Sequence, residues 1–570
     1  MTHGLARASC LFMFAALAAC GGEAVDDTGD VEQTTIEAAE THLVVTVDDM
    51  APETGHLLGW NIGRGTWYAP ADDPLHPQWR TPELAAAVAR LSEIRPGYGG
   101  APYVRFSGLQ IDGVLGADGY HFWPLVDPAR DVDEDDNMAP FEYFALMDEI
   151  GGDAPAPVVM LNFGSGTAAE AGDYVTHLNG EDADDPLVAA RQHWGREAPY
   201  DVEVFELGNE VHAIWNTGYR DDGAYAYANP EAVNGGDPPW YGRPAADPAD
   251  YAARALEYVN AVRSRSPDAR LWVPLSMASM DAWGDGLEPA LAALDPLLRE
   301  PAVEGVVIHH YHVDDAEALG LEDVNDPQFI VAGAELYRPG FARLRALLEA
   351  IERPTPLQIV VSEYHVAGFF AGDRFERGEQ AIVGLGVADM MMLYAQEGVA
   401  HACQHLALNF DASGELLFET WYNPLRVDGE GGVFEAPTYQ VNALIGPRLY
   451  GRMAALSAEQ EARASTPVGA ETLEYPVINA VAFVGESELF GSVLLLNRDL
   501  EAARELTIDL PPGATVAGVD AFAPDRWDRP TSEGPIPRSA LEWTQSVDRV
   551  ALTLPPHSLA ALVWDREPAE

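Results

Sequence analysis

From His42 onward, short apolar runs alternate with longer stretches in which apolar residues recur every three or four positions. Residues 55–60, 103–106, 158–162, 202–207, 271–275, 303–309, 358–362 and 401–408 read as strands. Residues 82–91, 141–150, 168–178, 251–264, 340–351 and 380–397 read as helices between them. The strands are apolar without strict alternation, the signature of parallel strands covered on both faces. Eight such strands separated by helices predict an α/β fold, a closed (β/α)8 or TIM barrel. An open doubly wound sheet is the alternative. No Gly-rich loop opens a helix after the first strand, which speaks against a dinucleotide-binding sheet.

Past Gly446 the pattern changes. Strand-like runs at 477–484, 489–497, 505–510, 514–522, 540–544, 550–554 and 559–564 follow one another with turns between, and helical periodicity almost disappears. This predicts a C-terminal β-sandwich. The expected organisation is a barrel over residues 53–447 and a sandwich over 448–570. The strand at 42–47, within residues 41–52, precedes the barrel and needs a partner, so it is expected to join the sandwich.

The N-terminus departs from both patterns. Arg7 is followed by an apolar run from Leu11 to Ala19, too short to span a bilayer as a stable helix. The run ends Leu17-Ala18-Ala19-Cys20-Gly21 and resembles the lipobox of bacterial lipoproteins. That resemblance implies a signal peptide over residues 1–19, lipidation at Cys20 and an exported, membrane-anchored protein. Gly21 and Gly22 lack the Asp that often marks retention at the inner membrane, which favours the outer membrane or cell surface. Residues 20–40 are acidic and aperiodic, as expected of a flexible tether. Of the three cysteines only Cys403 lies outside this region, so no disulfide framework is expected in the mature chain.

Composition narrows the partners. The hydrophobic fraction of 47% is that of a globular protein. The 33 basic residues, all Arg, face 91 acidic ones for a formal charge of −58. Such a field repels nucleic acid and anionic lipid headgroups.

Two segments carry candidate chemistry. Val202 to Glu210 ends in Glu206-Leu207-Gly208-Asn209-Glu210, and Gln358 to Tyr364 ends in Ser362-Glu363-Tyr364. Each sets a carboxylate at or just beyond the end of an apolar strand, where a barrel gathers its catalytic groups. Two carboxylates facing one mouth are what glycoside hydrolysis requires. One protonates the leaving oxygen, and the other attacks the anomeric carbon or activates a water. A separation of about 5–5.5 Å implies retention and about 6.5–9.5 Å inversion.

The order of several motifs resembles clan A glycoside hydrolases, and within them family 51, whose typical members are α-L-arabinofuranosidases. The resemblance is collinear over most of the mature chain. It runs through Gly59-Trp60-Asn61-Ile62-Gly63-Arg64, Val104-Arg105-Phe106-Ser107-Gly108, Gly119-Tyr120-His121-Phe122-Trp123 and Leu161 to Thr167. It continues through Glu206 to Glu210, His309-His310-Tyr311, Pro437-Thr438-Tyr439 and Leu554 to Leu559. It implies that Glu210 is the general acid/base and Glu363 the nucleophile. Asn209 would hydrogen-bond the sugar 2-hydroxyl, Tyr311 would orient the nucleophile, and Arg105 would favour its ionised form. His309, Gln110, Trp60 and Gln404 complete the expected substrate contacts. Departures concentrate on the sugar pocket. Trp60 stands where the family has a sugar-gripping Glu, Gln110 where it has Asn, Leu109 where it has Gly, and Ser362-Glu363-Tyr364 where it has Asp-Glu-Trp.

The expected function is thus a retaining, exo-acting glycosidase of the α-L-arabinofuranosidase type, acting on plant-type polysaccharides or oligosaccharides. The alternatives are a clan A enzyme for another sugar (β-xyloside, β-glucoside, glucuronide or endo-acting glucanase) and a non-catalytic carbohydrate-binding surface lipoprotein. No metal or other cofactor is expected. Adjacent strand residues face opposite sides, so of His309, His310 and His312 at most His310 and His312 share a face, and no third ligand stands at a known spacing. Asp131-x-Asp133-x-Asp135 imitates a calcium loop but has Asp136 where the turn needs Gly. Trp67, Trp123, Trp215, Trp240 and Trp283 fall after strands and could stack on sugars.

Overall fold

The computed structural model describes residues 40–47, 52–63, 82–99, 102–107, 122–128, 139–151, 156–164, 166–211, 248–275, 287–318, 321–322, 324–367, 378–408, 424–427, 433–469 and 471–567. Eight parallel strands close a barrel: β2 (Gly59–Gly63), β3 (Tyr103–Ser107), β4 (Ala156–Leu161), β5 (Val204–Leu207), β6 (Arg270–Pro274), β7 (Val303–Tyr311), β8 (Gln358–His365) and β9 (His401–Leu408). They pair in sequence order, and β2 meets β9 to complete the circle. That closure depends on Gly59. A Cβ there would lie 2.5 Å from the Ala402 carbonyl oxygen and 2.7 Å from Cys403 Sγ.

The barrel interior has an apolar floor. Tyr103, Val158, Val204, Trp272, Val307, Val360 and Cys403, one from each strand β3 to β9, pack together in it. The opposite faces of the strands pack on helices, including Pro82–Glu93, Pro140–Gly151, Ala168–Asn179, Pro248–Arg265, Arg338–Glu349 and Ala381–Gln396. Ala168–Asn179 begins with Thr167, whose hydroxyl accepts from the Glu170 amide at 3.1 Å, as the Thr-x-x-Glu spacing leads one to expect. Ala381–Gln396 is apolar all round and buried from Ala381 to Ala395. It lies against the barrel on one side and the sandwich on another, which is what such a helix requires.

Two short hairpins, Leu425–Val427/Val433–Glu435 and Arg463–Val468/Glu471–Pro476, stand apart, and ten further strands form one sheet that curls into a sandwich. Its order is Arg538–Ala540, Ala514–Phe522, Ser558–Arg566, Phe490–Asn497, Ile478–Val484, Arg452–Gln460, β1 (Thr41–Thr46), Arg504–Asp509, Arg549–Leu554 and Trp543–Ser546. Residues from both ends of this order, such as Val519 and Leu562 with Ile508 and Val550, share a single core. The early strand β1 sits in the middle of the sheet, antiparallel to Arg452–Gln460 and parallel to Arg504–Asp509. Arg452–Gln460 and the hairpin Arg463–Val468/Glu471–Pro476 are not predicted from sequence: Ala, Ser, Glu and Arg dominate the first, and Pro467 and Pro476 with polar residues interrupt the second. Residues 540–544, read as one strand, belong to two, Arg538–Ala540 and Trp543–Ser546.

Barrel and sandwich meet through buried charge. Arg498, at the end of a sandwich strand, donates through Nε to Asp389 Oδ1 at 2.8 Å, and Asn479 Nδ2 donates to the same oxygen at 2.8 Å. Asp389 lies on the buried helix Ala381–Gln396, so this pair ties the sandwich to the barrel's helical layer. Among the described residues no helix is long and apolar enough to cross a membrane.

Candidate active site

Period-two alternation takes the apolar floor directly to a polar layer above it. Two residues beyond Tyr103, Val204, Val307, Val360 and Cys403 stand Arg105, Glu206, His309, Ser362 and His405. Asn61 pairs with Arg105 across β2 and β3 and joins the same layer. A bulge adds one more group. Between Val361 and Tyr364, β8 spends one residue more than β9, and a matching register shift separates β8 from β7. Two consecutive residues, Ser362 and Glu363, can therefore both face the interior, a use of bulges that recurs next to active sites.

These side chains form a ring of hydrogen bonds. Arg105 donates through Nε and Nη2 to Glu206 at 2.6 and 2.7 Å, through Nη1 to Glu363 Oε1 at 2.7 Å, and through Nη2 to Asn209 Oδ1 at 3.1 Å. The Tyr311 hydroxyl donates to Glu363 Oε2 at 2.7 Å. His309 Nδ1 lies 2.8 Å from Glu210 Oε1 and 3.5 Å from Glu363 Oε2, while its Nε2 meets Ser362 Oγ at 3.1 Å. Ser362 Oγ in turn donates to Glu206 Oε1 at 3.4 Å. One oxygen of Glu210 and one of Glu363 come within 4.8 Å of each other, with His309 Nδ1 equally within that reach.

Glu210 is held by a sharp turn beyond β5. Gly208 has φ of 91° and Glu210 itself φ of 41°. Glycine takes the first conformation without steric cost, but a side chain in the left-handed region is uncommon and stores strain. The turn aims Glu210 across the mouth at β8. The Glu210 side chain is 12% exposed and that of Glu363 7%, so both remain reachable from the opening.

Electrostatics fix the charge of Glu363. Burial pushes the Glu363 carboxyl up, but His309, His405 and Arg105 beside it, and the Tyr311 hydroxyl, hold it far below the ordinary carboxylate range. Glu363 is accordingly an anion at neutral pH. Burial pulls the His309 imidazole down, yet Glu363 and the bond to Glu210 more than offset this and raise its pKa. Arg105, wholly buried between two carboxylates, keeps its proton more firmly than usual despite desolvation. The 2.8 Å contact between Glu210 and His309 requires a proton between them. An ionised Glu363 thus faces a Glu210–His309 pair that shares a proton. Glu210, His309 and Glu363 could each offer a ligand atom to a cation. Both Glu363 oxygens are already taken by Arg105 and Tyr311, so the donor set suits proton transfer and nucleophilic attack better than metal binding.

Of the residues singled out from sequence, Arg105, Asn209, Glu210, His309, Tyr311 and Glu363 come together here. Trp60 and Gln404 do not. Trp60 precedes the inward Asn61 and packs in the core between barrel and helices. Gln404 lies between the inward Cys403 and His405, pairs with Trp60 across the sheet, and accepts from Asn442 Nδ2 at 2.5 Å in the helix Pro437–Ile445. Strand alternation thus turns both residues away from the cavity. His310 also faces the helices, bonding the Tyr394 hydroxyl at 2.9 Å. Gln110, Arg64, Cys20, Asp131 to Asp136, Trp67, Trp215, Trp240 and Trp283 lie outside the described residues. Trp123 is 40% exposed on the short helix Phe122–Val126. Glu206, Ser362, Asn61 and His405 had no role assigned from sequence. Counting two residues on from the apolar floor would have found Glu206, Ser362 and His405.

No family model matches the chain. A probable α-L-arabinofuranosidase C from Aspergillus terreus is 39% identical over 71 residues, 12% of this chain and 14% of that protein. The aligned segment therefore spans about a seventh of the curated relative's length. Solved structures match far more broadly. An arabinose complex of the α-L-arabinofuranosidase from Thermotoga maritima covers 92% of this chain and 99% of its own at a TM-score of 0.67 and 17% identity. A family 51 α-L-arabinofuranosidase from Bifidobacterium longum matches at 0.68 and 16% identity over 92% of this chain and 99% of its own. The chain has the fold of the family 51 α-L-arabinofuranosidases. The resemblance read from motif order in the sequence is thus met by barrel and sandwich together.

Proposed function

We propose that this chain is a retaining glycoside hydrolase of the α-L-arabinofuranosidase type that removes terminal sugars from plant-type polysaccharides or oligosaccharides. The observation that carries the reading is the approach of Glu210 and Glu363 to within 4.8 Å at the mouth of the barrel. That spacing is nearer the roughly 5–5.5 Å of a retaining pair than the roughly 6.5–9.5 Å of an inverting one, which supports retention.

The reaction follows from the two environments. Glu363, kept ionised, attacks the anomeric carbon while Glu210 passes a proton to the departing oxygen. The bond to the leaving group breaks and a glycosyl ester forms on Glu363. A water then bonds to the anomeric carbon, its proton goes to Glu210, and the ester bond breaks with its electron pair returning to Glu363. Arg105 and Tyr311 hold the two Glu363 oxygens in place throughout. His309 keeps a proton beside Glu210.

The sugar pocket departs from the family pattern. Trp60 and Gln404, at positions the resemblance assigns to sugar contacts, point into the helical layer. This favours, as a second reading, the same chemistry on another glycoside. A panel of aryl glycosides, led by 4-nitrophenyl α-L-arabinofuranoside, tests both, with Glu363→Ala as control. Release from the arabinofuranoside that vanishes in the control supports the first reading. Release from only a different sugar moves the assignment to the second. Sugar binding with no release from any panel member would sink the enzymatic reading in favour of a binding lipoprotein. We also propose export and lipid anchoring through Cys20. Labelling with a radioactive fatty acid that persists in Cys20→Ser would refute it.

A further inference from the structure

Resting on Glu363 as nucleophile, we propose that His405 is a positioning residue for it: steadied by Asn61, its imidazole donates to Glu363 Oε2 as the ester breaks.

His405 stands on β9, two residues beyond the floor residue Cys403, and faces the cavity. Its Nδ1 is 3.5 Å from Glu363 Oε2 and 3.4 Å from Asn61 Nδ2. The ring meets that of Tyr311 edge-on, with centroids 5.9 Å apart and an 85° angle between planes. Its side chain is 21% exposed, against 4% for His309, so it forms the open side of the nucleophile's surroundings. A separation of 3.5 Å closes to a hydrogen bond with a small ring rotation, and such bonds often tighten only when substrate is present.

The neighbours give His405 two states. Asn61 Nδ2 lies between His405 Nδ1 and the Ser362 carbonyl, 3.5 Å away. While Glu363 is a neutral ester, an unprotonated Nδ1 accepts from Asn61. As the carboxylate charge returns, a protonated Nδ1 donates to Oε2 and Asn61 turns to Ser362. The ring takes that proton from solvent on its exposed side and gives it back when the next ester forms. Glu363 and His365 on β8 and Tyr311 on β7 are the charged or titratable groups that act on it directly, and Arg105 on β3 and His309 on β7 share Glu363 with it. Arg105 and Tyr311 bond Glu363 directly and His309 bonds Glu210, whereas His405 Nδ1 stands 3.5 Å from Glu363 Oε2, within a small rotation of a further bond. Its charge also helps hold the Glu363 pKa down.

The experiment compares wild type, His405→Phe and His405→Gln on whichever aryl glycoside of the panel wild type hydrolyses. In His405→Phe, kcat should fall about tenfold or more, the loss expected for a hydrogen bond to a charged group. kcat/KM on a substrate with a good leaving group should fall less. Ester breakdown then limits turnover, so a burst of aryl alcohol precedes the steady state and the glycosyl adduct appears by intact mass. The acidic limb of kcat/KM should move to higher pH, because Glu363 has lost a cationic neighbour. His405→Gln, which keeps a donor, should recover part of kcat. Parallel loss of kcat and kcat/KM with no burst, no adduct and an unmoved acidic limb would overturn the proposal, as would wild-type kinetics in both variants. Glu363→Ala separates the two levels of failure. If it is inactive while His405→Phe behaves as wild type, only the role of His405 falls. If it turns over normally, the nucleophile assignment falls too.

Discussion

Glu206 accepts from both Nε and Nη2 of Arg105, at 2.6 and 2.7 Å, with neither side chain exposed to solvent. The pairing fixes the guanidinium plane so that its remaining edge reaches Glu363. Breaking it should cost more than one hydrogen bond. Glu206→Ala is expected to lower unfolding free energy by about 3–5 kcal/mol, because a buried guanidinium loses its bidentate partner. Urea denaturation checks this. A loss below about 1 kcal/mol, the range of exposed pairs, would contradict the picture.

Glu210→Ala should reveal its role through the leaving group. With an alkyl or sugar leaving group, which needs protonation, the rate should fall by about 10²–10⁴. With a dinitrophenyl leaving group the first step needs no acid, and a burst should survive. Azide should speed the second step and yield a glycosyl azide of retained configuration. A uniform loss across leaving groups would remove Glu210 from the acid role.

Trp60→Glu would restore by alignment the carboxylate that family 51 uses to grip sugar. The fold forbids that outcome. The side chain at this position is fully buried against the helical layer, and its neighbour Asn61 holds the inward position. The substitution is therefore expected to destabilise by several kcal/mol through an unpaired buried charge, and to leave sugar preference unchanged. Thermal melting and the glycoside panel together decide it.

Acid should unfold this protein through its interior histidines. Burial lowers the pKa of His312 and His365 to about 3 and that of His177 to about 4, from an ordinary 6.5. The folded state therefore binds fewer protons than the unfolded one as pH falls below 6.5. Stability is full above that value and declines steadily toward pH 3–4, by about 1.4 kcal/mol per pH unit for each group. His177→Asn should make the slope shallower by one such proton between pH 6 and 4. Urea midpoints measured across that range check the slope. An unchanged slope would mean that His177 titrates normally in the folded state.

Much of this architecture could be read from hydrophobic pattern alone. The eight barrel strands lie within a few residues of the predicted runs, because parallel buried strands are nearly uniform in apolarity. The two glutamates stood out because carboxylates at the ends of such strands are rare without purpose. What failed was facing. Trp60 and Gln404 each sit one residue from an inward position, and one residue reverses the face of a strand. The bulge at Ser362 and Glu363 was invisible for the same reason, since it changes no residue type and only the count between neighbours. Arg452–Gln460 escaped because its partners, not its own composition, make it a strand.

The central place of β1 has a bearing on how the chain is assembled during synthesis. This segment leaves the ribosome before any of the barrel, yet its two neighbours, Arg452–Gln460 and Arg504–Asp509, follow after the whole barrel. It must wait with both edges unsatisfied while the intervening chain folds, a long-range closure that is slow and exposed to mispairing. A fragment beginning after the barrel would carry an open slot in the middle of its sheet, lined by two strands ready to recruit another chain. The sandwich is thus less an appended module than a clasp, fastened only when the last strands return to the first.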